Sequence, residues 1–335
     1  MSLLVTGAAG FIGFHLSKRL LQEGKKVIGI DNLNDYYSVS LKRDRVSELN
    51  STDSDFSFIE ANIADKGKIE KIFDANSITR IYHLAAQAGV RYSIKNPDVY
   101  IKSNLIGFYN IIEAARHNDI EHLIFASSSS VYGANKKVPY QVSDHTDHPV
   151  SLYAATKKSN EMLAHSYSHL YDIPMTGLRF FTVYGPWGRP DMAYFKFTDL
   201  IKSGQQIDIY NEGDMYRDFT YVDDIVEALY RLQDITPEPS DAWDAKNPSP
   251  EVGPAPYRLH NIGNNDPIKL MDFVNILEEA LGVEAQKVFK PMQPGDVYRT
   301  WADCNDLFEK IDYKPDTSLE KGIAKFIEWY EKYYS

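Results

Sequence analysis

A chain of 335 residues is long enough to bury a large core and to divide into two lobes. Its net charge of −11 argues against a nucleic-acid surface, which calls for a clustered basic patch, and no apolar run approaches the ~20 residues that cross a bilayer. One cysteine, Cys304, precludes an internal disulfide and fits a reducing cytoplasm.

The first apolar run, residues 3–5, leads straight into a glycine turn, so we expect a strand at the start of the chain and no room for a cleaved secretory signal. Gly7-Ala8-Ala9-Gly10-Phe11-Ile12-Gly13 follows and opens a helical pattern over 13–23. In that context glycine permits a tight turn and the close approach of a pyrophosphate, whose charge is met by N–H groups at the helix start. The same glycines could also serve only to join strand to helix.

A second strand over 27–31 ends on Asp31, where a carboxylate can accept hydrogen bonds from adenosine ribose hydroxyls. It would repel a 2′-phosphate, which favours NAD over NADP. Asp31 and Asn32 could instead cap a turn. Further apolar runs at 56–60, 81–84 and 123–127 alternate with helical patterns such as 68–74. The expected fold class is α/β: a doubly wound parallel sheet with the cofactor crevice at the carboxyl ends of its strands.

Ser127-Ser128-Ser129-Ser130 follows the fifth run, which places its hydroxyls at that crevice unless they form only a polar turn. Downstream, Tyr153-Ala154-Ala155-Thr156-Lys157 sets a tyrosine and a lysine four apart on one helix face. A free phenol has a pKa near ~10, and a neighbouring ammonium lowers it. That pairing can make a phenol into a base.

After about residue 180 the texture changes to aromatic and Gly-Pro-rich loops such as 184–188, which suits a substrate-facing lobe. We therefore divide the chain into an NAD-binding domain, 1–180 with returning segments near 218–235 and 257–263, and a mainly substrate-binding lobe, 181–335. The proline-rich stretch 236–257 reads as an exposed loop or partly ordered flap rather than a domain linker, because a strand pattern at 258–262 resumes the fold.

Gly7, Gly10, Gly13, Asp31, Asn62-Ile63, His83-Leu84-Ala85-Ala86, Asn104, the serine run and Tyr153/Lys157 together resemble the extended short-chain dehydrogenase/reductase superfamily, over essentially the whole chain. The resemblance implies bound NAD, with Gly7, Gly10, Phe11, Ile12, Gly13, Asp31 and Asn32 at its adenosine-diphosphate end. It further implies Asn62 and Ile63 beside the adenine, and Leu84, Ala85, Ala86, Asn104 and Phe180 along the cofactor. Asn62 stands where many relatives have Asp, so its side-chain oxygen is expected to take the adenine amino group. Ser128 is implied as the hydroxyl partner of Tyr153, and Lys157 as the holder of the nicotinamide ribose. No metal is expected. A donor and a base beside a nicotinamide make oxidation of an alcohol the elementary step.

Arg217-Asp218-Phe219-Thr220-Tyr221-Val222-Asp223-Asp224 resembles the diphosphate-binding segment of nucleotide-sugar epimerases and dehydratases, with Arg217 making the charge-assisted contact. By the same resemblance Ile209 and Tyr210 would meet the uracil, and Asp296 the ribose hydroxyls. The stretch from Arg179 through Thr182 to Arg189, and Gln87-Ala88-Gly89-Val90-Arg91, closely resemble UDP-glucuronate 4-epimerases. Thr182 stands where UDP-glucose 4-epimerases usually have Asn. With Ser128, Ser129 and Ser130 it could surround a carboxylate with hydroxyl donors, near the charge of Arg189 or Arg91. Decarboxylating relatives typically place Glu at the position of Ser130.

The expected activity is reversible C4 epimerisation of UDP-glucuronate to UDP-galacturonate with recycled NAD. UDP-glucose 4-epimerase and UDP-glucuronate decarboxylase are the rival enzymes. An NAD-sensing module is the non-enzymatic rival, although it would have no need of the intact Ser128/Tyr153/Lys157 set. In the superfamily the helices expected at 99–117 and 152–171 often form a dimer interface, which implies a homodimer; simple packing on the sheet is the alternative.

Overall fold

Leu3, Leu4 and Val5 are all buried, as a strand of a parallel sheet covered on both faces requires. Leu3 and Val5 join one hydrophobic cluster and Leu4 the opposite one, the period of two that a strand imposes. In the computed structural model, which describes residues 2–52, 55–292 and 298–335, this strand is β1 (Ser2–Thr6). It is followed by β2 (Lys26–Asp31), β3 (Phe56–Glu60), β4 (Ile78–His83), β5 (His122–Ser128) and β6 (Met175–Phe180). A late strand, Tyr257–Ile262, completes a seven-stranded sheet in the order Tyr257–Ile262, β6, β5, β4, β1, β2, β3. Every pairing in it is parallel.

The order reverses beside β1, so the chain winds outward through β2 and β3 and returns to β4 on the other side. That switch opens a crevice past the carboxyl ends of β1 and β4. Helix α1 (Phe11–Gln22) buries Phe14, Leu16 and Leu20 on one face of the sheet, together with Val226 and Leu229 of the helix Val222–Leu232. Ile69 and Phe73 from Lys66–Ala75, with Phe108 and Ile111 from Gly107–Arg116, cover the other. The expected doubly wound α/β sheet is therefore present, and the strands expected at 81–84 and 258–262 are seen as Ile78–His83 and Tyr257–Ile262.

The remaining strands centre on Tyr216–Tyr221, which pairs with Pro267–Lys269, Arg299–Thr300 and Thr182–Tyr184. A separate parallel pair joins Ile207–Tyr210 to Lys287–Lys290. Residues 236–256 carry neither helix nor strand.

Two helices bear on the site. Leu152–Tyr171 is one continuous helix whose N-cap, Ser151, accepts the Ala154 N–H through its hydroxyl. The helix expected at 99–117 differs: Pro97–Tyr100 and Gly107–Arg116 flank a wide π turn at Ile101–Ile106. Asn104 lies in that turn, and its side chain is drawn inward to bond the Gln87 backbone.

His83 in β4 and His122 in β5 lie three register positions apart, each 1% exposed, with their ring nitrogens on Thr6 and Thr176 hydroxyls. Burial lowers their pKa values to about 3 and about 4, with the Lys157 charge adding to the effect at His83. Between these values and the ordinary ~6.5 the unfolded chain binds more protons, so stability rises with pH through that window and is lost as pH falls. Each site contributes about 1.4 kcal/mol per pH unit. The urea midpoint should accordingly drop between pH 6.5 and 4.5; a midpoint that holds constant there would show that neither imidazole resists protonation.

Candidate active site

The glycine turn is tight for a visible reason. Gly7 has a φ of +74°, and a Cβ there would lie 2.9 Å from the Ala85 nitrogen; at Gly13 it would lie 2.1 Å from the Gly7 carbonyl oxygen. Only glycine lets this turn seat against the end of β4. Gly10 caps α1 without any side-chain acceptor, which leaves the first-turn amides available to an anion. Gly7, Gly10, Phe11, Ile12 and Gly13 line a cavity of 320 Å³ that continues past Asp31, Asn32 and Ile63 to Leu84, Ala85, Ala86 and Phe180.

Asp31 satisfies both readings of its position: its carboxylate accepts the Leu33 N–H at 2.9 Å, an Asx turn, and still lines the cavity. Burial raises its pKa, against the Leu33 amide and the Lys42 ammonium. Asn32 caps Asn34 in the same way and also lines the wall. Two other residues do not reach the cavity. Asn62 is exposed, its oxygen taken by the Ala64 N–H at 2.9 Å, and its neighbours Ala61 and Ile63 form the wall instead. Asn104 is buried one layer down. Its oxygen accepts the Gln87 N–H at 2.8 Å, and its amide donates to the Gln87 carbonyl and the Thr156 hydroxyl.

At the far end of this cavity Ser128, Ser129, Tyr153 and Lys157 come together. Ser128 closes β5 and accepts the Ser130 N–H at 3.2 Å. Burial raises the Tyr153 pKa; the Ser128 hydroxyl and then the Arg189 charge pull it back. Lys157 is 2% exposed, and burial lowers its pKa to about 8. Its ammonium donates to the Ala126 carbonyl at 2.8 Å. The groups acting to lower the phenol are thus Ser128 and Arg189, whereas the helix spacing alone pointed to Lys157.

A second cavity, of 690 Å³, meets the first at Thr182 and Met192, which line both. Arg91, Tyr210 and Arg217 line it with Lys290, Lys196 and Phe219. The Arg91 guanidinium stands 5.7 Å from the Tyr210 ring centre. Arg189 lies on the first cavity, paired with Asp191 at 2.5 Å, and Asp191 also accepts the Tyr36 hydroxyl. The two candidate arginines therefore line different cavities: Arg189 the first, with Ser128 and Ser129, and Arg91 the second, with Tyr210. Ile209 is fully buried in the core and Ser130 lines neither cavity. Asp296 lies outside the described residues.

Sequence reading missed Tyr36, Lys42, Met192 and Lys290 as cavity residues. Gln87 stood inside a motif that was noticed and was still not singled out.

A cradle that a Cβ would fill, free first-turn amides and a carboxylate at the end of β2 fit a dinucleotide. The NAD dependent epimerase/dehydratase family matches this chain over residues 3–239. The chain belongs to that family. Among related members, Protein CapI of Staphylococcus aureus is 55% identical over 100% of this chain and 99% of its own. A probable UDP-glucuronate 4-epimerase of Rhizobium meliloti is 47% identical over 100% of this chain and 98% of its own. Among solved structures, the UDP-glucuronic acid 4-epimerase of Bacillus cereus, in complex with UDP-glucuronic acid and NAD, superposes with a TM-score of 0.86 at 32% identity, covering 100% of both chains. As an NAD dependent epimerase/dehydratase, the chain uses NAD as its cofactor, and the glycine-turn cavity is the one among those described whose walls fit it.

Proposed function

We propose that this chain is an NAD-dependent nucleotide-sugar 4-epimerase that interconverts UDP-glucuronate and UDP-galacturonate through a 4-keto sugar. The observation that carries the choice of sugar is the junction of the two cavities, where Thr182 stands with Ser128, Ser129 and Arg189 nearby. Hydroxyl donors and a cation there suit a carboxylate. When bound, NAD supplies a reversible hydride acceptor for the C4 carbon.

In this reading Tyr153 takes the proton of the C4 hydroxyl and later returns it, while the Ser128 hydroxyl holds the same oxygen. Lys157, buried and with its pKa lowered to about 8, holds the nicotinamide ribose. Arg217, Tyr210 and Arg91 bind the UDP in the second cavity, with the Tyr210 face toward the uracil and Asp296 on the ribose. Gly7, Gly10, Phe11, Ile12, Gly13, Asp31, Asn32, Ile63, Leu84, Ala85, Ala86 and Phe180 hold the cofactor, with Asn62 and Asn104 acting through the backbone beside them. Oxidation at C4 makes the substrate a β-keto acid, which loses carbon dioxide when its carboxylate bond aligns with the carbonyl orbitals. In this reading Thr182 and the Ser128 and Ser129 hydroxyls hold that carboxylate out of alignment.

Proton NMR of the products from UDP-glucuronate tests the assignment, with UDP-galacturonate as the expected product. Its absence would sink the reading, and UDP-xylose with released carbon dioxide would favour a decarboxylase.

The same reading includes a division of labour between residues 1–180 and 181–335, and a cytoplasmic homodimer. Support for the dimer comes from Ile106 and Tyr109 on one helix, and Met162 and Leu170 at 52% and 62% exposure on the other. Large apolar side chains so exposed on adjoining helices mark a contact surface. A monomer mass by light scattering would count against it.

A further inference from the structure

Arg45 is 0% exposed, yet among the described residues its guanidinium forms no ion pair. It projects from the helix Val39–Asn50. Nη1 donates to the Ala9 carbonyl and to the Tyr37 hydroxyl, both at 2.8 Å. Nη2 donates to the carbonyls of Trp187 at 2.6 Å and Gly188 at 3.0 Å, while Nε has no partner. Lys42, one turn earlier and 4% exposed, is held by the backbone and side-chain oxygens of Asn34. A buried cation facing only carbonyl dipoles and a phenol is costly until an anion completes its surroundings. Asp31 is the carboxylate whose field reaches both cations. Asp31 is shared between the two cations and Asp35 adds its field only at Lys42, so Arg45 keeps no carboxylate in contact, directly behind the turn that would receive a pyrophosphate.

The four acceptors of Arg45 also have a pattern. Ala9 sits in the glycine turn, Tyr37 on the cavity wall beyond Asp31, and Trp187 and Gly188 in the loop that presents Arg189 to the same cavity. Trp187 has a φ of +56°, a left-handed conformation that a bulky residue keeps only when its surroundings hold it. Its carbonyl is bonded by Arg45, and its indole is packed by Phe14, Trp329 and Tyr333.

We propose that Arg45 is a cofactor clasp: it ties the turn that carries the NAD pyrophosphate to the loop that carries Arg189, supplies charge that the bound diphosphate balances, and so makes NAD slow to leave. Arg45 does not line the cavity, which makes it a positioning residue rather than a catalytic one. The inference rests on the use of NAD argued above.

The test compares wild type, Arg45→Met and Arg45→Lys for NAD retained after gel filtration and for the exchange rate of bound NAD against isotopically labelled NAD. Wild type should retain close to one NAD per chain. Arg45→Met should retain about tenfold less or lower, the loss expected when charge-assisted hydrogen bonds are removed. Arg45→Lys keeps the charge but not the planar fork that spans two pairs of acceptors, so it should exchange faster than wild type and more slowly than Arg45→Met. Saturating NAD should restore most of the turnover in both variants, placing the defect in the KM for NAD rather than in kcat. An Arg45→Met protein with a lower thermal midpoint and unchanged NAD retention would overturn the clasp and mark the residue as structural only. Should Arg45→Met not fold, Arg45→Lys decides alone: exchange at the wild-type rate overturns the proposal. Wild-type protein that neither carries nor binds NAD would instead defeat the cofactor assignment beneath it.

Discussion

Replacing Tyr153 by Phe lowers kcat by about 10²- to 10⁴-fold and leaves the fold and the NAD content of the protein intact. The substitution removes one oxygen and keeps the ring, which packs edge-on to Tyr100 at 6.1 Å, so the helix Leu152–Tyr171 loses no apolar contact. What disappears is the group proposed to exchange a proton with the sugar hydroxyl. Burial raises the phenol's pKa, and Ser128 and Arg189 recover part of that shift. Proton transfer from the substrate is therefore demanding in this site, and no neighbour has the geometry to replace the phenol: Ser128 lacks a base, and Lys157 is bonded to the Ala126 carbonyl. The effect should appear in kcat with KM for the UDP-sugar little changed, since the proposed nucleotide site is the other cavity. Steady-state rates with far-UV circular dichroism and bound-NAD content decide the matter. Turnover at the wild-type level in Tyr153→Phe would remove Tyr153 from the chemistry.

The largest expected loss of stability is at Glu161. This carboxylate and Arg179 are each 0% exposed and face each other with two bonds at 2.9 Å. Ser127 donates to the same carboxylate at 2.6 Å and Lys158 at 3.3 Å, while Arg179 also reaches the Tyr132 hydroxyl and the Val142 carbonyl. The Arg179 charge lowers the pKa of Glu161 in spite of its burial. Glu161→Gln leaves Arg179 charged and uncompensated in the interior, a change that costs about 3–5 kcal/mol. Replacing both members with apolar residues of similar volume should recover much of that loss, because the desolvation cost disappears with the charges. Urea unfolding of wild type, Glu161→Gln and the Glu161→Met/Arg179→Met double variant measures all three. A Glu161→Gln loss below about 1 kcal/mol would show that the pair is not held as the geometry indicates. The position of the pair adds a functional side effect. Glu161 is one turn beyond Lys157, and Ser127 immediately precedes Ser128, so the bond between them fixes the helix Leu152–Tyr171 against the end of β5.

The parts of the site that were legible in the sequence are those whose chemistry is local. Gly7, Gly10 and Gly13 are required by the backbone of one turn, and Asp31 by the end of one strand, so spacing along the chain revealed them. Tyr153 and Lys157 share a helix face, which makes their proximity calculable from the sequence, but the direction of the Lys157 ammonium is set by the Ala126 carbonyl, 31 residues away. Arg45 carried no signal because its meaning depends on Trp187, 142 residues distant. Lys290 is likewise placed by a strand pairing between Lys287–Lys290 and Ile207–Tyr210 that no local pattern announces. Asn104 was expected on the cavity wall. A π turn shifts the face a helix presents, and a periodicity of 3.6 residues cannot show that shift. The α/β sheet itself was plain, since strand and helix patterns alternate with little interruption through β5.

The late strand Tyr257–Ile262 has a practical consequence for anyone dissecting the chain. It lies beside β6 through six matched residues, with the Tyr257 hydroxyl on the Glu161 carbonyl and the Asn261 amide on the carbonyls of Tyr140 and Asp303. A fragment ending at residue 239, where the family match stops, would turn β6 into a raw border with unpaired amides and carbonyls along Met175–Phe180. Such a border recruits strands from other molecules. Residues 1–239 and the rest of the chain are thus stitched rather than strung together, and the truncated fragment would be expected to clump before it could be assayed.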